Sequence, residues 1–171
     1  MSLLSYFELV RLVEDGVIDA PMENINSSSI DLTFDDVILV RSVDDCARPV
    51  WREHNLRSQG AWYLNKGEFI LASSREYFRL PLDVSAEYKL KSSQARQGLN
   101  HCLAGWADAG WHGKLTLEFT NYDVEPFRIE ADKKAGQMIF HRHAPVPYEK
   151  SYAARGRYNG QQSVTESKGI R

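Results

Sequence analysis

Residues 91–118, KSSQARQGLNHCLAGWADAGWHGKLTLE, gather the side chains best suited to chemistry. Lys91, Ser92, Ser93 and Arg96 open the stretch. With the backbone amides around the two serines they could supply the charge and the short, directed hydrogen bonds that a phosphate needs. At the far end the sequence alternates: Leu115 and Leu117 are apolar, and Glu118 shares the parity of Thr116. If the leucines face a core, Thr116 and Glu118 face the other way, into a cleft or a subunit interface. A carboxylate there can act as a general base once burial or neighbours raise its pKa towards neutrality. An anion cradle followed by a lone acid suggests a site for a phosphorylated small molecule. A solvated turn before an ordinary strand is the competing reading, and spacing alone does not choose between them.

Other chemistries have weaker support. The zinc deaminase signature, H-x-E with a later P-C-x-x-C, is absent. His141-Arg142-His143 sets two imidazoles on one side of an expected strand, with no third ligand evident. There is no G-x-S-x-G elbow, Walker A loop or G-x-G-x-x-G.

The elements that must position these residues read as mainly β. Ser5-Tyr6-Phe7-Glu8 has the capping-box pattern, and apolar spacing up to Gly16 predicts a short amphipathic helix over residues 5–15. Residues 28–34, 37–40, 62–64, 68–73, 77–80, 87–90, 114–120, 126–129 and 136–140 read as short strands. Residues 41–60 are polar and carry Pro49 and Gly60, so they read as a long connection. Many short strands and one helix predict an all-β sandwich or barrel. From Tyr148 onward the chain is polar and without apolar periodicity. That segment retains Arg155, Arg157, Tyr158, Gln161 and Gln162, which suit phosphate and base edges, so it reads either as a frayed end or as a lid.

Composition sets the frame. With 171 residues the chain fits one domain, 1–171. Hydrophobic residues make up 43% and charged residues 26%, values ordinary for a globular protein. A net charge of −2 gives no electrostatic case for nucleic-acid binding. No apolar run is long enough to span a bilayer, and Glu8, Arg11 and Glu14 interrupt any secretory signal. Two cysteines, Cys46 and Cys102, do not make a disulfide scaffold, so a cytoplasmic location is expected.

Five ordered segments resemble the dCTP deaminase family of the dUTPase-like superfamily. INSSSIDL (residues 25–32) is similar to that family's Q-x-x-S-x-D-L. LNKGEFILA (64–72) resembles L-x-P-G-E-x-x-L-A. LKSSQARQGL (90–99) resembles G-R-S-S-x-x-R-x-G-L. AGWADAGWHGKLTLEF (104–119) resembles A-x-x-x-D-x-G-[FWY]-x-G-x-x-x-L-E, and RYNGQ (157–161) is similar to K-Y-x-G-Q. The resemblance implies a mainly β, distorted jelly-roll or β-barrel fold of the dUTPase-like type. It also implies a homotrimer with active sites between subunits. The activity implied is zinc-independent hydrolysis of dCTP to dUTP and ammonia, supplying deoxyuridine nucleotide for dTTP synthesis, with Mg2+ carried on the triphosphate and dTTP a candidate feedback inhibitor.

Carried over by position, Glu118 would activate the water that attacks C4. Ser92 and Arg96 would stand near the water, the amino group and the phosphates. Lys91 and Ser93 would hold the triphosphate, Asp108 the 3′-hydroxyl, and Thr116 and Leu117, with Glu118, the base. Tyr148, Arg157 and Gln161 would close from a flexible lid, residues 148–171. Two departures stand out: Lys91 replaces the usual Arg and Arg157 the usual Lys, and these cations differ in donor geometry. Ala104-Gly105-Trp106-Ala107-Asp108 looks more like the A-G-[WF]-I-D of bifunctional members than the A-H-R-I-D of dUTP-releasing ones, and Gly136-Gln137 points the same way. The alternatives are therefore a bifunctional enzyme giving dUMP and pyrophosphate, a dUTPase without deaminase activity, and a nucleotide-binding module without turnover.

Overall fold

Ser5 starts the first helix as its sequence predicts, its amide and hydroxyl both donating to Glu8 Oε2 at 2.9 and 2.8 Å. The structure, a computed structural model, describes residues 2–169. In chain order the elements are β1 (Ser2–Leu3), α1 (Tyr6–Glu14), β2 (Ile18–Asp19), β3 (Ile30–Val43), β4 (Pro49–Asn55), β5 (Trp62–Leu64), β6 (Phe69–Arg79) and β7 (Val84–Lys89). There follow α2 (Ser92–Ala95), β8 (Leu99–Asn100), β9 (Trp106–Ala107), β10 (His112–Asn121), β11 (Phe127–Ile129), β12 (Lys134–Arg142) and α3 (Tyr152–Arg155).

Ten of these strands form one antiparallel sheet in the order β8-β10-β6-β3-β12-β7-β9, with β1, β2 and β4 added to β12, β6 and β3; β5 and β11 form a separate pair. The sheet curls because β3 serves two surfaces. Its first residues, Ile30 to Thr33, pair with β12, and from Phe34 onward, across a register shift between Phe34 and Ile38, it pairs with β6. A shift of this kind bends the strand and increases its twist. The result is the expected mainly β architecture, a curled half-barrel with one short N-terminal helix. Phe34, Phe119 and Tyr88 meet edge-on in its core, alongside Phe78 and Phe140.

The expected strands 28–34 and 37–40 are one strand, β3, and 68–73 and 77–80 are one, β6; a further expectation fails outright. Residues 41–60 are not a long connection: β3 runs on to Val43, Asp44 Oδ1 accepts from the Cys46 and Arg48 amides at 2.9 and 2.8 Å, and β4 returns along β3 from Pro49 to Asn55. The strand was hidden because it lies at an edge, where proline at the first position and charged residues are tolerated. The helix, by contrast, and the alternating strand β10 lie where the pattern put them.

Two glycines pack against one buried tyrosine. Tyr88 is 1% exposed, and its hydroxyl donates to the Ala135 carbonyl. A Cβ on Gly136 would lie 2.3 Å from that hydroxyl oxygen, and one on Gly105 2.8 Å from the Tyr88 Cβ. Both glycines are therefore small because the Tyr88 residue occupies the space, a packing reason independent of product.

Candidate active site

Strand β10 carries the site. Gly113, Leu115, Leu117, Phe119 and Asn121 point into the core, and Thr116 and Glu118 point out, as their parity requires. The outward pair lines a cavity of about 390 Å³ with Asp108, Trp106, Trp111 and Tyr152 among its walls. The register also explains Leu117: its side chain is buried on the opposite face and does not line the cavity, whereas Leu115, at the register shift in β10, does.

Glu118 is the acid that this environment changes. Burial, opposed only by its own backbone hydrogen bond, raises its pKa from 4.5 to about 7. Glu76 makes a useful contrast. It too is buried and pushed upward, but its two oxygens accept from the Thr33 amide and hydroxyl at 3.0 and 2.8 Å, and it does not line the cavity. Glu118 has water-accessible space before it and Glu76 has a partner, so Glu118 is the candidate proton-transfer group.

The tail reaches the same place. Gly113 is the point of close approach: at φ +139 it lets the Gln161 backbone nitrogen come within 2.9 Å of where a Cβ would stand, and Lys114 N donates to Gln161 O at 2.8 Å. Thr116 Oγ1 then accepts from Gln161 Nε2 at 3.3 Å and from Thr165 N at 3.1 Å. With two bonds accepted, the Thr116 proton is left to donate into the cavity. Thr165, Glu166 and Ser167 complete the rim.

A second hollow adjoins the first and shares Asp108, Tyr152 and Tyr158 with it. The two differ in charge. The first is lined by Asp108, Glu118 and Glu166 and, among the described residues, by no cation; the second carries Lys150, Arg155 and Arg157. Arg157 also donates to the carbonyls of Lys168 and Gly169.

The structure thus brings Asp108, Thr116, Glu118 and Gln161 together, with Arg157 next door. It places the other expected residues elsewhere. Ser92, Ser93 and Arg96 lie exposed on and just after α2 and do not line the Glu118 cavity. The Lys91 ammonium is committed to Asp31 at 2.6 Å. Asp31 is 1% exposed; burial pushes its pKa up, but hydrogen bonds from Lys134, Lys91 and Asn26 outweigh that and hold it below the usual range. Tyr148 is 64% exposed and lines neither hollow, whereas Tyr152 lines both. Among residues the sequence reading missed, Tyr152 had a signal: Gly156, four positions on, where a Cβ would fall 2.0 Å from the Tyr152 ring. Trp51 had none, since its strand went unrecognised. His141 and His143 do not converge: His141 stacks on Trp106, and His143 Nε2 meets Ser85 Oγ at 2.9 Å. Among the described residues no group of three or more His, Cys, Asp or Glu is arranged to hold a metal.

Residues 3–143 match the family model described as dCTP deaminase-like. A protein named dCTP deaminase, dUMP-forming, from Persephonella marina is 41% identical over 101 residues, 59% of this chain and 54% of that relative. Proteins of the same name from Methanothermobacter thermautotrophicus and a Sulfurihydrogenibium species are each 30% identical, over 82% and 92% of this chain and 79% and 92% of their own lengths. The crystal structure of 2'-deoxycytidine 5'-triphosphate deaminase from Agrobacterium tumefaciens shares the fold, with a TM-score of 0.69 and 21% identity over 82% of this chain and 48% of that one. The chain thus spans about half the length of the first relative and of that structure.

Proposed function

This chain belongs to the dCTP deaminase-like family, and from that premise we propose that it hydrolyses dCTP, taken as its magnesium complex, to dUMP, ammonia and pyrophosphate. The first step adds water at C4 of the cytosine and expels the amino group, converting dCTP and water to dUTP and ammonia. The second breaks the bond between the α- and β-phosphates with another water, leaving dUMP and pyrophosphate. The observation that carries the proposal is Glu118, an acid with a pKa of about 7 facing an aromatic-walled cavity. Near neutral pH such a group takes a proton as readily as it gives one. Ionised, it accepts the proton of the water that forms the C4–O bond; protonated, it returns that proton towards the departing amino group.

The charge division between the hollows orients the nucleotide. An acidic cavity disfavours phosphates and suits a base whose amino group donates, while Lys150, Arg155 and Arg157 suit the triphosphate. Asp108, shared by both hollows, then falls at the sugar. Hydrolysis to dUMP is favoured over release of dUTP by the names of the relatives, which are dUMP-forming. Gly105 and Gly136 add nothing to that choice, because Tyr88 explains both. Ser92, Ser93 and Arg96, exposed and away from Glu118, fit an assembly in which another copy of the chain supplies them, as in a homotrimer with sites between subunits.

Product analysis from dCTP with Mg2+ tests the reading. Ammonia, dUMP and pyrophosphate without accumulated dUTP are expected. Ammonia with stable dUTP would reduce the activity to a single step, and an absence of ammonia would overturn deamination altogether.

A further inference from the structure

Trp106 is more exposed than an indole ordinarily is, at 54%, yet it is held on three sides. Its strand, β9, pairs with β7 through Glu87↔Trp106 and Ala86↔Ala107. Its ring face stacks on His141, with centroids 6.2 Å apart and 23° between the planes. Its Nε1 donates to Asp108 Oδ1 at 2.9 Å. The Asp108 backbone is fixed as well, its carbonyl accepting from Trp111 N at 3.1 Å. An aspartate side chain has few torsions; once one carboxylate oxygen is anchored to a rigid indole, the direction of the other is set. Both residues line the Glu118 cavity.

Building on the function proposed above, we propose that Trp106 is a positioning residue for Asp108. Its indole N–H occupies Oδ1, and Oδ2 is left aimed as the acceptor for a sugar hydroxyl of the nucleotide. His141 keeps the indole plane in place. Binding affinity for a nucleotide bearing that hydroxyl therefore depends on a hydrogen bond that never touches substrate.

The test pairs Trp106→Phe, which keeps an aromatic ring and loses the N–H, with Asp108→Asn. With dCTP, Trp106→Phe raises KM by about tenfold, the effect of losing a bond to a charged group, and changes kcat less. With 2′,3′-dideoxycytidine triphosphate, which lacks the hydroxyl, the variant and the parent have the same KM. In the Asp108→Asn background Trp106→Phe adds little, as expected of residues acting as one unit. Equal losses on both nucleotides, or full additivity, would overturn the proposal. A measurement without substrate separates this idea from the function itself. In the folded protein, the Trp106 indole N–H resonance shifts and exchanges faster in Asp108→Ala; an unchanged resonance would refute the contact even if dCTP is turned over, and a shifted one would uphold it even if dCTP is not.

Discussion

At Glu118 the sheet removes water from a carboxylate without supplying a cation, and the sign of the consequence follows from that. Its pKa is about 7 in the folded chain against its usual 4.5. Between those pH values the unfolded chain has already lost a proton that the folded chain keeps. Stability therefore falls as pH rises through this window, with a cost above pH 7 on the order of 3 kcal/mol. Glu118→Gln removes the ionisable group and keeps the shape. We expect it to raise Tm by several degrees at pH 8 and to leave it nearly unchanged near pH 4, a difference that thermal melts at the two values would reveal. The same substitution should lower kcat for deamination by at least about 100-fold while dCTP binding persists. In the parent, kcat/KM should decline as pH drops below about 7, when the base is protonated. A variant with near-normal turnover, or melts that shift equally at both pH values, would contradict the assigned role. Asp31 marks the opposite case: 1% exposed but met by Lys91, Lys134 and Asn26, its pKa is held below the usual range and it serves structure.

Elements were legible where one local signal sufficed. The capping box announced α1, and strict alternation announced β10 and the outward face of Glu118. Strand β4 was not legible, because an edge strand needs no apolar alternation, and Trp51 was lost to the site with it. Nor could the sequence say that Gly105 and Gly136, far apart in the chain, answer to one residue, since β12 brings Gly136 beside Tyr88 only through sheet pairing. That packing has a measurable consequence. Gly136→Ala drives a methyl into a buried phenol ring whose surroundings are already filled, which should cost about 1–3 kcal/mol and several degrees of Tm. Tyr88→Phe, losing only the bond to Ala135, should cost less, about 1 kcal/mol. If Gly136→Ala melted like the parent, the glycine would need another reason, and its weight in choosing between dUTP and dUMP would return.

At the scale of the whole molecule, one chain holds the two halves of the proposed site apart: Asp108, Thr116, Glu118 and Gln161 gather at one cavity, while Ser92, Ser93 and Arg96 stand exposed away from it. Sequence order placed these groups close together, but Glu118 stands on β10 within the sheet, whereas Ser92, Ser93 and Arg96 lie on and just after α2, outside its strands. If a second copy joins the halves, the defect in each of two dead variants can be complemented. Glu118→Gln and Arg96→Ala should each be inactive alone. Unfolded together at equal concentration and reassembled, they should recover about a quarter of the parental rate, the chance that a site draws an intact Glu118 from one variant and an intact Arg96 from the other. A site lying wholly within one chain gives no recovery at any mixing ratio. Since Arg96 is exposed in the single chain, its loss should not unfold the protein, so a silent mixture of folded variants would place the whole site in one subunit and refute the shared arrangement.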